Sequence, residues 1–261
     1  MKKTLLTFSF LLSTCLAHEF WLNPEKFFFS KGETATIFLQ VGENFEGSPW
    51  KGTITRLSLF SSFGEKQIKP EIDTAKRSIK VFLENEGTNI LVLQNKPSKI
   101  ELDAEKFNTY LKEDGLDEIL EYRKKNNQEN SVGREIYERC AKLLLKVGER
   151  SDKNFSRNTN LPLEILPLAN PYAGVFGKKK KIHFKINFQG KPAGNLTIKF
   201  WQKIGTELIK QETKTNAWGK VSFEFLAKGK IMLSCVKMIP HTNPTEADWH
   251  SYWASLVFGY E

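Results

Sequence analysis

Four histidines are the residues of this 261-residue chain whose types and positions suggest chemistry. His18 follows Ala17 at the end of a leader-like segment. Processing there would free its α-amine, which with imidazole Nδ1 can close one chelate ring on a metal. An α-amine titrates near pH ~8, so a metal can displace its proton at neutral pH. Glu19 adds a carboxylate next door. His241 and His250 lie in a loop, Pro240 to His250, that also carries Glu246 and Asp248. If a strand has begun by then, His250 shares a face with Asp248 and Tyr252, and Trp249 and Trp253 take the other. His183, between Ile182 and Phe184, reads as an ordinary sheet histidine. Imidazole and amine nitrogens suit nickel, cobalt, copper or zinc rather than magnesium or calcium. The plainer alternatives are that His18 only marks a cleavage point and that residues 240–250 form a polar loop.

No catalytic constellation accompanies these residues. The chain has no G-x-S-x-G elbow, P-loop, H-E-x-x-H pair or dinucleotide fingerprint. Three cysteines are too few for a disulfide scaffold or most cysteine zinc modules. A copper oxidase with a histidine brace would need a second clearly placed histidine. The expectation is a protein without enzymatic activity.

The elements that must position these groups begin with an export signal, residues 1–17. Lys2 and Lys3 precede an apolar run from Leu5 to Leu12, and small residues follow. Cutting after Ala17 leaves His18 first. Alternatively, Leu12-Ser13-Thr14-Cys15 resembles a loose lipobox that would make Cys15 a lipid anchor, although Thr14 stands where Gly or Ala is usual. No later stretch offers ~20 consecutive apolar residues, so no membrane-spanning helix is expected. The pattern predicts a periplasmic protein.

The fold class expected is mainly β, with two Ig-like β-sandwich modules and a helical pair inserted between them. Strand-like runs such as Thr36-Ile37-Phe38-Leu39 and Ile90-Leu91-Val92-Leu93 recur between turns over residues 18–94. Residues 103–146 change period. Asp103 caps a helix carrying Phe107, Tyr110 and Leu111, and Gly115 interrupts it before Leu116, Ile119, Leu120 and Arg123. Ser131 is read as the cap of a second helix, with Ile136, Tyr137, Cys140, Leu143 and Leu144 along its buried stripe. An Asn-rich stretch near 150–160 reads as a linker, dividing residues 18–160 from a second sandwich over 161–261. Cys140 and Cys235 are expected to be buried apolar thiols.

Charge follows the same division. The formal total is +9; residues 1–17 carry +2, residues 18–161 balance, and residues 162–261 hold 14 Lys against 7 acids. The run Lys178-Lys179-Lys180-Lys181 reads as edge-protecting lysines or as contacts for an anionic envelope surface. Without interleaved arginines or an aromatic platform, no nucleic-acid partner is expected.

Two resemblances add to this. Gly190-Lys191-Pro192 before a strand, and Thr215-Asn216-Ala217-Trp218-Gly219-Lys220-Val221-Ser222-Phe223, resemble transthyretin-like and carboxypeptidase-regulatory-like sandwiches. At the ends, Ala17-His18-Glu19-Phe20-Trp21-Leu22 with Pro24, and Ala247-Asp248-Trp249-His250-Ser251-Tyr252-Trp253-Ala254-Ser255-Leu256, resemble the DUF4198 family. Gly133-Arg134-Glu135 with Tyr137 and Ala141-Lys142 is similar to its central helix. Leu161 to Ile165 and Pro171-Tyr172-Ala173 resemble its interdomain stretch. The resemblance implies exported bacterial proteins associated with nickel or cobalt uptake. His18, Glu19 and Asp248 match its pattern; His250 and Lys237 stand where an acid and a histidine are expected.

The expected function is a periplasmic binding protein for a divalent transition metal, accessory to a membrane uptake component. The expected ligands are His18, Glu19, His241, Asp248 and His250. The other reading is a metal-free module that binds carbohydrate, peptide or an outer-membrane partner through aromatics such as Trp50, Trp218 and Trp253.

Overall fold

The computed structural model describes residues 18–260; the expected signal peptide and the alternative Cys15 anchor lie outside them. The first half runs through β1 (Glu19–Pro24), β2 (Phe28–Phe29), β3 (Thr34–Glu43), β4 (Glu46–Pro49), β5 (Ile54–Ser61), β6 (Gly64–Gln67), β7 (Ile72–Asp73), β8 (Ser78–Phe82), β9 (Gly87–Asn95) and β10 (Ser98–Leu102). Helices α1 (Ala104–Glu113) and α2 (Asp117–Lys125) follow, then β11 (Gly133–Val147). The second half is β12 (Leu163–Pro167), β13 (Lys179–Phe188), β14 (Lys191–Pro192), β15 (Thr197–Ile204), β16 (Glu207–Lys214), β17 (Lys220–Leu226), β18 (Gly229–Pro240) and β19 (Trp249–Tyr260). The mainly β expectation holds.

The strands make three layers. A ten-stranded central sheet has the order β16-β15-β18-β19-β11-β9-β5-β6, with β10 and β2 also paired to β11. One face carries the five-stranded sheet of β1, β3, β4, β7 and β8, with the two helices beside it. The other carries the four-stranded sheet of β12, β13, β14 and β17. Period-two alternation assigns the faces. Ile90, Val92, Cys140 and Leu144 pack toward Ile165, Phe184 and Phe223. Leu91, Leu93, Leu143 and Leu145 pack toward Trp21, Ile37 and Val81. Val236, Met238 and Trp249 meet Phe107, Leu111 and Ile119 of the helices. Each fully buried Leu, Ile or Phe contributes roughly 1.5–3 kcal/mol of transfer free energy, so both faces hold the central sheet firmly.

Residue 160 lies between the halves in sequence, but the central sheet passes across it. β11 and β19 pair in parallel from Glu135↔Trp249 to Leu143↔Val257. The two expected modules therefore share one sheet.

The helical expectation is corrected in part. α1 starts at Asp103, whose Oδ1 accepts from Lys106 N at 2.9 Å. The left-handed Gly115 (φ 65) breaks it from α2. The stretch read as a second helix capped by Ser131, with Ile136 to Leu144 along its stripe, instead lies in β11, the longest strand described. Its apolar residues fall at helical spacing because the strand is covered on both faces, which erases alternation. The stretch likened to a central helix is thus a central strand. The two cysteines are free and buried, as expected.

Candidate metal centre

His18 stands immediately before β1, and Glu19↔Gly42 pairing with β3 brings it beside Glu43. Asn44 (φ 58) and Phe45 (φ 60) make the left-handed turn from β3 into β4 that folds Glu43 toward it. The distance from His18 Nδ1 to Glu43 Oε1 is 3.6 Å. Glu43 in turn borders a cavity of about 570 Å³ whose wall also includes Glu19, Glu113, Asp114 and Lys199.

This wall is strongly electrostatic. Glu19 is buried, and burial pushes its carboxyl up to about 7, against the pull of Lys199. Asp114 is also raised by burial, despite Lys199 Nζ at 2.6 Å. A carboxylate at the C-terminal end of α1 sits against the unfavourable end of the helix dipole, so a cation is needed there. Lys199 supplies it. Burial pulls its ammonium down, but Asp114 and Glu19 outweigh that and hold it above its usual value. Lys199 Nζ reaches Glu19 Oε1 at 3.8 Å.

The remaining expected ligands lie elsewhere. His250 Nε2 is 2.9 Å from Glu138 Oε1, and Gln94 Nε2 donates to Glu138 Oε2 at 2.9 Å. The His250 ring stacks on Tyr252 with centroids 4.4 Å apart, and His241 lies 5.7 Å away. His241 Nδ1 accepts from Asn243 N at 3.1 Å. Asp248 is clamped by Arg134, with Nη2 at 2.6 Å and Nε at 3.1 Å. Burial raises its carboxyl, but the Arg134 side-chain and backbone bonds win and hold it below the usual range.

The set His18, Glu19, His241, Asp248 and His250 therefore does not assemble into one centre. Tyr252, Ala254 and Leu256 face the four-stranded sheet, and His250 alternates with them. Phe20 and Trp21, next to His18, pack on the opposite face of the central sheet. The central sheet stands between. Among the described residues, no three His, Cys, Asp or Glu side chains converge as a ready metal site. Glu43, Asp114, Lys199 and Glu138 were not singled out from sequence, because only strand pairing and helix docking bring them to these places. The expected aromatic surface is not gathered either: Trp50 is buried, Trp253 is half-buried against Tyr110, and Trp218 is exposed.

The family model for DUF4198, a domain of unknown function, matches residues 15–238. The chain belongs to the DUF4198 family. The match takes in the His18 site and ends within β18, before β19. No curated protein sequence matches this DUF4198 chain. Among solved structures it is similar to trypsin-activated alpha-2-macroglobulin from Escherichia coli, at 8% identity and a TM-score of 0.24, covering 93% of this chain and 16% of that one. It is also similar to the D0-D1 domain of intimin, at 12% identity and a TM-score of 0.22, covering 92% and 97%. The three N-terminal domains of the bacteriophage RB49 outer capsid protein Hoc match at 12% identity and a TM-score of 0.20, covering 92% and 59%. At these scores the likenesses carry no argument; the β architecture rests on the strand pairing itself.

Proposed function

We propose that this is an exported, non-enzymatic protein that binds a divalent transition metal at its processed N-terminus, nickel or cobalt in the first place, and serves a membrane uptake component. The observation that carries this reading is the His18 ring beside Glu43, a carboxylate that itself lines a cavity walled by Glu19, Glu113 and Asp114. Cleavage after Ala17 would add the one donor missing from that pair, the α-amine. Amine, Nδ1 and Glu43 carboxylate make an N,N,O set that suits nickel, cobalt, copper or zinc. Glu19 and Asp114 supply negative potential behind it, with Lys199 as their counter-ion. His241 and His250 have no part in this set. The scattered tryptophans give the metal-free, aromatic-surface reading little support.

The test is titration calorimetry with nickel, cobalt, copper and zinc on chain beginning at His18. The comparisons are His18→Ala and a chain with one extra residue ahead of His18, which keeps the ring and blocks the amine. Tight binding by the first form and its loss in both others is expected. Equal binding by the extended form would sink the proposal.

A further inference from the structure

The connection between β12 and β13 is pinned at its base and bare at its tip. Tyr172 Oη donates to the Leu144 carbonyl at 2.7 Å, and its ring packs edge-on against Phe28 and Tyr260. Tyr260 Oη donates to the Pro171 carbonyl. Lys180 reaches back to the carbonyls of Asn170 at 2.7 Å, Pro171 at 2.8 Å and Ala173. Gly177 N donates to the Ala227 carbonyl at 2.9 Å, which closes the far side. Between these anchors Val175 is 68% exposed and Phe176 54% exposed.

Cations surround this tip. Lys178 and Lys179 are exposed, and Ala227 N donating to the Lys178 carbonyl at 2.9 Å brings exposed Lys228 alongside. Lys181, the last of the run, faces Glu224 at 3.5 Å. Two adjacent apolar side chains fall far short of the ~1,000 Å² a specific protein interface requires. A lipid headgroup layer accepts a small apolar wedge and rewards neighbouring lysines with phosphate contacts. Lysines rather than arginines suffice there, because a fluid anionic surface needs charge more than bidentate geometry.

We infer that this tip docks the protein on an anionic phospholipid surface, with Val175 and Phe176 entering the headgroup boundary and Lys178, Lys179 and Lys228 meeting lipid phosphates. The surface stands independently of the metal site.

Vesicle co-sedimentation tests this on chain beginning at His18. Vesicles of pure phosphatidylcholine are compared with an equimolar mixture of phosphatidylcholine and phosphatidylglycerol. Binding is expected only to the mixture, and it should weaken as salt shortens the screening length below ~10 Å. Val175→Ser with Phe176→Ser should cut binding about tenfold. Lys178→Gln, Lys179→Gln and Lys228→Gln together should cut it on the order of a hundredfold. Trp218→Ser, at the other end of β13, should bind as the parent does. All these side chains are exposed, so matching thermal midpoints will show that each variant folds. Failure of the parent to prefer the anionic vesicles overturns the inference, as does parent-like binding by the Val175/Phe176 variant.

Discussion

Glu135 gives the sharpest quantitative test of the fold. It lies on β11 with 3% of its surface exposed. Hydroxyls hold it: Tyr110 Oη donates to its Oε1 at 3.1 Å, and Ser251 Oγ also donates. Burial pushes its carboxyl up from the usual 4.5 to about 7, and the Ser251 and Tyr110 bonds offset only part of that. Between those values the folded chain holds a proton that the unfolded chain has released. The stabilising contribution is therefore complete below about pH 4.5, declines as pH rises, and is gone above about pH 7. At ~1.4 kcal/mol per unit the full change is about 3 kcal/mol. Glu19 has a similar shift, so the parent's total slope mixes both. Glu135→Gln isolates one of them. Urea unfolding of parent and variant across pH 4 to ~8 should show their stability difference moving by about 3 kcal/mol in favour of the variant at the alkaline end. A difference that stays constant with pH, or moves the other way, would refute the reasoning.

Three further outcomes follow from burial elsewhere. Lys142 and Glu164 form an ion pair at 2.9 Å with both side chains almost wholly buried. Lys142→Met should cost about 3–5 kcal/mol by urea unfolding, and adding Glu164→Leu should recover most of it. At Gly133 a Cβ would come within 2.2 Å of the Phe107 ring, so Gly133→Ala should loosen α1 and cost about 1–3 kcal/mol, read as a lower thermal midpoint. Burial pushes the Cys140 thiol up to about 12 and raises that of Cys235 further, so neither should react with a disulfide reagent until denaturant is added.

The parts of this structure legible in the sequence are those set by local chemistry. Asp103 has an oxygen to cap α1, and Gly115 tolerates the left-handed backbone that ends it; both signals are written in single residues. The alternation around His250 is equally local, and Tyr252 and Trp249 do take opposite faces. β11 was not legible. Its side chains are buried on both faces, so a strand and a buried helix leave the same apolar run. The site divided the same way. His18 and Glu19 stood out by chemistry, but Glu43 reaches His18 through a β3 pairing, and Lys199 reaches Asp114 across 85 residues. Periodicity carries no information about such separations. The joining of the two halves into one sheet was hidden for the same reason, since the β11–β19 register links residues more than a hundred positions apart.

That parallel pairing has a kinetic consequence. β19 lies between β18 and β11, so until residues 249–260 emerge the central layer is two fragments with open, hydrogen-bonding edges. Closing them requires a contact of long sequence separation, whose chain entropy must be lost before any packing rewards it. Completion of the central sheet is thereby postponed until β19 is available, so this layer assembles later than one built from hairpins alone.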